Sequence, residues 1–208
     1  MLKIKVCGIC DPVNLKEVAE AAPDFMGFIF YKGSKRYAGE DTVKDLIALV
    51  PDGIIRTGVF VNDKPETILN YAGDLRLDAI QLHGSESPDC CEKIKAGNLI
   101  IIKAFGIGEN FDFNRLIPYM DTCDYFLFDT KTQSYGGSGR KFNWTRLDEY
   151  KFYKKFILSG GIAYEDIEPL RSISHEAFFG VDINSRFESS PGIKNAEMIK
   201  SFITGIKS

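Results

Sequence analysis

Two side chains in this sequence have the chemistry needed for proton transfer, the thiol of Cys7 and the carboxyl of Asp129. Each ends a short apolar run, so each is expected at the end of a strand. A thiolate accepts a proton and a protonated carboxyl donates one, which together could move a proton between two atoms of one substrate. This needs a Cys7 pKa below about 8.5 and an Asp129 pKa above its usual range. Taken singly, Cys7 is more typical of a buried apolar thiol, and Asp129 of an ion pair with Lys103 or Lys131.

Two small-residue segments in the last quarter of the chain could hold a phosphate group. Ser159, Gly160 and Gly161 follow one apolar run, and Asn184 and Ser185 follow the next. Glycine lets backbone N–H groups approach an anion closely, and a following helix N-terminus adds a favourable dipole. A tight turn between a strand and a helix is an equally good interpretation.

Three further features leave other functions open. Cys7 and Cys10 form a C-x-x-C motif, which also occurs in thiol redox proteins. The glycine-rich segment from Gly136 to Lys141 could be a lid that closes over a substrate, or a flexible surface turn. His83 could line a pocket or simply end its strand. A barrel that binds a phosphosugar without catalysis is also possible.

Short apolar runs recur about every 20 to 30 residues, the length of one strand, one helix and two loops. They begin near Leu2, Phe25, Ile55, Asp78, Leu99, Tyr125, Phe156 and Ala177. Several are apolar on both faces, as in parallel strands covered on both sides. Between these runs, apolar residues recur at helical spacing, such as Leu15, Val18 and Ala22.

Eight such units in 208 residues favour a single (β/α)8 TIM barrel over residues 1–208, with a doubly wound open sheet as the alternative. In a barrel, catalytic groups lie at the C-terminal ends of the strands. The first and sixth strands of a closed ring are three steps apart, so we expect Cys7 and Asp129 to face each other across its mouth.

Composition and charge exclude several classes of protein. The net charge of −3 argues against a general nucleic-acid binder, which usually carries a basic excess. No apolar run approaches the length of about 18 residues that a membrane span needs. The N-terminus alternates like a strand rather than a signal peptide. Five cysteines are an odd number without a dense framework, which favours a reduced, cytoplasmic setting.

Several segments, in order and at matching spacing, resemble the phosphoribosylanthranilate isomerase family of tryptophan biosynthesis. They run from near the N-terminus to near the C-terminus, and their combination is more specific than any one of them. They include residues 5–9 (KVCGI), 34–37 (SKRY), 81–84 (QLHG), 129–131 (DTK), 158–161 (LSGG) and 180–185 (GVDINS).

The resemblance implies an Amadori rearrangement of a phosphosugar that carries anthranilate, with Cys7 as general base and Asp129 as general acid. It implies that Arg36 lies near the anthranilate carboxylate. The other substrate-binding candidates are His83, Gly160, Gly161, Asp182, Asn184 and Ser185. It implies that the protein uses neither a cofactor nor a metal ion. Its partner would be the small-molecule substrate, and the chain would act as a monomer or homodimer.

The chain departs from the family pattern at three positions. Cys10 stands where the family usually has threonine, so oxidation of the neighbouring Cys7 becomes a further hypothesis. Lys35 replaces a common proline and leaves the loop before Arg36 less rigid. Arg186 replaces a usual glycine, which would supply a special backbone angle beside the predicted phosphate site.

Overall fold

The computed structural model describes residues 1–131 and 141–208. The glycine-rich segment predicted as a lid or a turn lies outside the described residues, apart from Lys141.

Eight parallel strands form a closed barrel in which each strand pairs with the next along the chain. The eighth strand closes the ring on the first, with Lys3 opposite Gly180 and Val6 opposite Ile183. This confirms the barrel and excludes the open sheet. The strands are β1 Lys3–Cys7, β2 Phe25–Ile29, β3 Ile55–Phe60, β4 Ala79–Leu82, β5 Ile100–Ile107, β6 Tyr125–Thr130, β7 Phe156–Leu158 and β8 Phe178–Ile183.

Helices cover the outside of the barrel. Two of them begin at residues that the sequence marks: Asp11 accepts a hydrogen bond from the backbone N–H of Asn14, and Ser87 from that of Cys90. No helix in the described part of the chain has the length and apolarity to cross a membrane. The α-helices are α1 Pro12–Ala19, α2 Glu40–Ala48, α3 Pro65–Leu75, α4 Pro88–Lys95, α5 Ile167–Arg171 and α6 Ala196–Lys207.

The connections after β5 and β6 differ from the expected α-helices. Each contains a 3-10 helix instead, Phe113–Tyr119 in one and Trp144–Glu149 in the other. Pro118 lies inside the first, where its missing N–H cannot complete an α-helical turn. Asn143 caps the second, as its position in the sequence suggests, but only six helical residues follow. Within residues 1–131 and 141–208, the barrel strands are therefore joined by fewer than eight full helices.

A hairpin follows β8 and returns the chain towards the barrel mouth. Its strands are β9 Glu188–Ser190 and β10 Ile193–Lys194, which pair antiparallel. Gly192 takes a φ of 90° in the turn between them, a value that favours glycine. The backbone of Lys194 is tied to helix α1, because its N–H donates to the Asn14 side chain and its carbonyl accepts from it.

The core has two parts. The larger lies between the sheet and the helices, and includes Phe126 and Phe128 of β6. Leu127 lies between these two residues in β6, so its side chain points to the opposite face of the sheet, inside the ring, where it belongs to a smaller cluster. The other buried members of that inner cluster are Phe25, Ile102, Ala104 and Ile157. The polar side chains of the site lie above it, at the C-terminal ends of the strands.

Candidate active site

A cavity opens at the C-terminal ends of the strands and is lined by both polar and apolar side chains. All of the predicted site residues line it: Cys7, Arg36, His83, Asp129, Gly160, Gly161, Asp182, Asn184 and Ser185. The sequence therefore identified the residues that meet at this cavity, whereas their chemical roles remain predictions.

Cys7 lies at the end of β1, beside a buried lysine of the same strand. A Cβ built on Gly27 of β2 would lie 2.9 Å from the Cys7 Sγ and 3.0 Å from the Lys5 Nζ, so the missing side chain makes room for both atoms. Only 1 % of the Lys5 side chain is exposed, and its Nζ lies 2.9 Å from Asp182 Oδ1. The hydroxyl of Ser159 donates to the other oxygen of Asp182.

Three charged groups act on the Cys7 thiol. Burial raises the pKa of Cys7, the ammonium groups of Lys5 and Lys194 lower it, and Asp182 raises it, with a raised pKa as the net result. Burial lowers the pKa of Lys5, but Asp182 outweighs it, so the net pKa of Lys5 is raised and its charge is kept. The lowered Cys7 pKa that base catalysis was expected to need is thus absent in this structure. A thiol of higher pKa is ionised to a smaller extent and is a stronger base once ionised.

Asp129 ends β6 on another wall of the same cavity. Its Oδ1 accepts a hydrogen bond of 2.7 Å from the backbone N–H of Thr130. Its Oδ2 lies 3.3 Å from Nε2 of His83, whose Nδ1 lies 2.7 Å from the side-chain nitrogen of Gln81. His83 therefore both lines the cavity and contacts the predicted acid.

The expected ion pair between Asp129 and Lys103 is absent. Lys103 instead forms a buried pair of 3.0 Å with Glu86. The Lys103 Nζ also donates to the carbonyl oxygens of Leu82 and Gly84, so Lys103 stabilises the loop that follows β4. Among the described residues, the ion-pair partner of Asp129 is His83.

The segment after β7 brings backbone N–H groups to the cavity. Gly160 and Gly161 have φ values of 89° and 68°, in the region that favours glycine. A Cβ on Gly160 would lie 2.6 Å from the Thr130 nitrogen and 2.7 Å from Asp129 Oδ1, so a side chain cannot fit there without displacement of the backbone. Glycine is therefore required at position 160 by its packing against the end of β6, and the binding of phosphate by this segment stays a prediction.

The helices next to this segment are shorter than the sequence suggested. Gly161 is followed by a 3-10 helix, Tyr164–Asp166, and by the five-residue helix α5. Asn184 precedes the 3-10 helix Ser185–Phe187, which holds the exposed Arg186. Since such short helices have small dipoles, individual N–H groups would carry most of the attraction for an anion. Arg186 does not take a positive φ, so the special backbone angle expected of a glycine there is not required.

The Arg36 side chain lines the cavity and forms an ion pair with Glu188. Its Nε and Nη2 donate to the two carboxylate oxygens of Glu188, at 2.8 Å and 2.7 Å. Glu188 in turn lies 2.5 Å from the Nζ of Lys194. The arginine stem passes over Gly8, where a Cβ would lie 2.7 Å from Arg36 Cδ. Sequence reasoning placed Arg36 in the site and missed these two partners.

Three polar residues of the site were missed as functional candidates: Lys5, Glu188 and Lys194. One signal for Lys5 was available, because residues two apart in a strand point to the same face and Lys5 is two before Cys7. The other two had none, since their contacts depend on how the hairpin approaches the barrel mouth. Within the described residues, no group of three or more His, Cys, Asp or Glu side chains could hold a metal ion.

The environment of Cys10 disfavours the redox interpretation. All five cysteines are free. The Cys10 thiol donates to the backbone carbonyl of Arg36 at 3.1 Å, and burial raises its pKa to about 11. Reactive thiol pairs usually contain one cysteine of lowered pKa, whereas the pKa values of both Cys7 and Cys10 are raised.

Comparison with known proteins gives one consistent family. The family described as N-(5'-phosphoribosyl)anthranilate (PRA) isomerase matches residues 4–205. The N-(5'-phosphoribosyl)anthranilate isomerase of Parabacteroides distasonis is 43 % identical over 98 % of this chain and 92 % of its own length.

Two solved structures share the whole barrel. The phosphoribosyl anthranilate isomerase of Thermotoga maritima has a TM-score of 0.88 and 37 % identity, covering 100 % of this chain and 99 % of its own. A phosphoribosyl anthranilate isomerase in complex with reduced 1-(o-carboxyphenylamino)-1-deoxyribulose 5-phosphate has a TM-score of 0.85 and 34 % identity, covering 100 % and 99 %. With the closed barrel and its cavity, these similarities show that the chain belongs to the N-(5'-phosphoribosyl)anthranilate isomerase family.

Proposed function

We propose that this chain converts N-(5'-phosphoribosyl)anthranilate into 1-(2-carboxyphenylamino)-1-deoxyribulose 5-phosphate, an Amadori rearrangement in tryptophan biosynthesis. The observation that supports it most directly is the placement of Cys7 and Asp129 on strands three steps apart, with both side chains lining one cavity. An acid and a base on opposing walls can act on two different atoms of one bound sugar.

The phosphate of the substrate would bind at the backbone N–H groups of Gly160 and Gly161 and at Asn184 and Ser185. The phosphate takes no part in the bonds that form and break, so the energy of phosphate binding serves to fix the sugar between acid and base. Since the whole chain has a net charge of −3, this local donor set would outweigh a slightly unfavourable overall field.

The first chemical step would be ring opening. Asp129 in its protonated form gives its proton to the furanose oxygen, the bond from that oxygen to C1 breaks, and the nitrogen lone pair forms a protonated Schiff base at C1. The contact between Asp129 and His83 places the acid beside a second group that can hold a proton.

The second step would be proton removal from C2 by the Cys7 thiolate. The electrons of the C–H bond form the C1–C2 double bond of an enolamine and neutralise the nitrogen. Tautomerisation then moves a proton from the enol hydroxyl to C1 and gives the ketose. Lys5 would stabilise the thiolate, because its buried ammonium lies beside the Cys7 sulfur and is held there by Asp182. In this account Asp182 positions Lys5, and its contact with the substrate is indirect.

The anthranilate carboxylate would bind at Arg36. A guanidinium has five N–H donors, of which two are used by Glu188. The remaining three are sufficient for a second carboxylate. The only binding partner this activity needs is the small phosphosugar, and we expect the protein to act in the cytoplasm as a monomer or homodimer.

The test is turnover of N-(5'-phosphoribosyl)anthranilate by the purified protein, followed as the loss of anthranilate-type fluorescence. Acid and base catalysis each contribute about 10²–10⁴-fold, so C7S and D129N should each lower kcat at least about 100-fold while the circular dichroism spectrum is retained. Near-normal kcat in either variant would remove that residue from the mechanism. Binding of the substrate without turnover by the unaltered protein would favour the non-catalytic alternative.

The matched control is C10S, which removes the neighbouring thiol of the same motif. The isomerase proposal predicts that C10S changes kcat by less than about twofold, because Cys10 contacts a backbone carbonyl and does not line the cavity. A thiol redox protein would instead lose its function in C10S and C7S alike.

A further inference from the structure

Arg36, Glu188 and Lys194 form a chain of three charges at the edge of the cavity, called here the arginine brace. Glu188 accepts two hydrogen bonds from Arg36 and lies 2.5 Å from the Lys194 Nζ. The Lys194 side chain has 0 % exposure and that of Glu188 has 4 %, so both charges are shielded from water. Asn184 accepts a second hydrogen bond from the Lys194 Nζ, at 2.6 Å.

Lys194 determines the net charge of the arginine brace. A guanidinium paired in two places with one carboxylate forms a unit without net charge, and such a unit attracts a second carboxylate weakly. Burial lowers the pKa of Lys194 on balance, although the contact with Glu188 opposes this. The Lys194 Nζ contacts the Glu188 carboxylate and donates to the Asn184 side-chain oxygen, the contacts that a charged ammonium makes. With Lys194 charged, the brace has two positive charges and one negative charge.

The hairpin holds the arginine brace in one position. Gly192, in the turn, donates its N–H to Glu188, and Asn14 of helix α1 binds both backbone polar groups of Lys194. On the other side, Gly8 leaves space for the stem of Arg36, where a Cβ would lie 2.7 Å from it. The guanidinium therefore has little freedom to turn, and its unpaired N–H groups keep a constant position in the cavity wall.

We propose that Glu188 and Lys194 are positioning residues that make Arg36 selective for a substrate whose aryl amine carries a carboxylate. Glu188 fixes the direction of the guanidinium, and Lys194 restores the positive charge that this pairing cancels. The inference rests on the proposed function and adds the origin of its selectivity. Neither residue contacts the reacting atoms, so the predicted selectivity appears in the ratio of the KM values for substrates with and without the carboxylate. Because Lys194 also lowers the pKa of Cys7, its loss should lower kcat for both kinds of substrate alike.

The experiment compares two substrates, N-(5'-phosphoribosyl)anthranilate and N-(5'-phosphoribosyl)aniline, which lacks the carboxylate. Both carry the same phosphate, so any effect on the phosphate site cancels in the ratio of their KM values. In K194M the KM for the anthranilate substrate should rise about tenfold or more, with little change for the aniline substrate. The K194Q variant removes the same charge and retains hydrogen bonding, and should give the same result if K194M folds poorly.

A charge-restoring double variant separates electrostatics from a structural role. The double variant E188Q with K194M leaves Arg36 as the only charged residue of the arginine brace, so the brace again has a net charge of one positive. The anthranilate KM should then recover to within about threefold of the unaltered protein. The control is K3M, which removes a surface lysine paired with Asp24 at the opposite end of β1 and should leave both KM values unchanged.

Two results would overturn the inference: an unchanged KM ratio in K194M and K194Q, or a double variant no better than K194M. The second would mean that Lys194 supports the local structure without supplying charge. If the unaltered protein does not turn over N-(5'-phosphoribosyl)anthranilate at all, the proposed function itself is wrong, and this outcome is distinct from both.

Discussion

Replacement of Lys5 by methionine is predicted to raise the pKa of Cys7 and to move activity to higher pH. Lys5 has the largest of the charge effects that lower the Cys7 pKa, and methionine removes that charge while it fills a similar volume. At any fixed pH below the new pKa, a smaller fraction of the thiol is then ionised. Since only the thiolate acts as base, kcat/KM falls at neutral pH and recovers in alkaline solution.

The size of this effect follows from the geometry around Gly27. The Lys5 Nζ and Cys7 Sγ lie 3.0 Å and 2.9 Å from one point, which limits their separation to about 6 Å. At this distance and an effective dielectric constant of about 20, two unit charges attract by about 2.8 kcal/mol. One pKa unit corresponds to about 1.4 kcal/mol. The loss of this attraction raises the Cys7 pKa and lowers the ionised fraction of the thiol at neutral pH by about 100-fold. The loss of kcat/KM is at most of this size, because the remaining thiolate is a stronger base.

The assay measures the Cys7 thiolate directly in the protein without substrate. Alkylation of Cys7 by iodoacetamide is followed by mass spectrometry of its peptide over a range of pH, and the midpoint reports the pKa. The control is K3M, which removes a lysine two residues earlier in the same strand, at the other end of the barrel. A K5M midpoint within about half a unit of the unaltered protein would refute the reasoning, since it would mean that Lys5 does not stabilise the thiolate.

Folding of this variant needs its own measurement. K5M leaves Asp182 buried with Ser159 as its remaining partner, and a buried charge without a counter-ion costs about 3–5 kcal/mol. If its melting temperature is too low for the assay, the double variant K5M with D182N removes both charges. Its Cys7 pKa should still lie above that of the unaltered protein, because the lowering effect of Lys5 exceeds the raising effect of Asp182.

Three further predictions follow. In K194M the Cys7 pKa should rise, because the ammonium of Lys194 lowers it, and the alkylation midpoint should move to higher pH; a fall would contradict this. In R36A the KM should rise at least about tenfold with kcat changed less than about threefold in steady-state kinetics, and an unchanged KM would count against the carboxylate contact. In G160A the Cβ meets backbone at a positive φ, so the free energy of unfolding should fall by about 2 kcal/mol in urea titrations, and a stable variant would show that the backbone moves easily.

Local pattern was sufficient to predict eight strands joined by helical segments, and it left an open sheet as the alternative to the barrel. The apolar runs beginning at Phe25, Ile55, Tyr125 and Phe156 start at the same residues as the observed strands. This works because parallel strands buried on both faces have a simple signature in sequence. The same logic brought Cys7 and the residues after the later strands to one cavity, since all strands of a barrel end at the same rim.

The sequence did not show how the site residues are held. The pairing of Arg36 with Glu188 joins positions 152 residues apart, and depends on the return of the hairpin to the barrel mouth. The raised pKa of Cys7 depends on the depth of its burial, which residue type does not reveal. The 3-10 form of the helices after β5 and β6 was not predicted, because apolar spacing does not distinguish a short 3-10 helix from an α-helix.

The most direct test of the account is a crystal structure of this protein with reduced 1-(o-carboxyphenylamino)-1-deoxyribulose 5-phosphate. The account predicts the ribose chain between the two walls, with the Cys7 sulfur about 4 Å or less from C2 and the Asp129 carboxyl within about 3 Å of the oxygen on C4. The phosphate should contact the Gly160 and Gly161 N–H groups, and the carboxylate should contact Arg36. A sugar chain that lies outside the gap between Cys7 and Asp129, or has both groups on one side, would contradict the account.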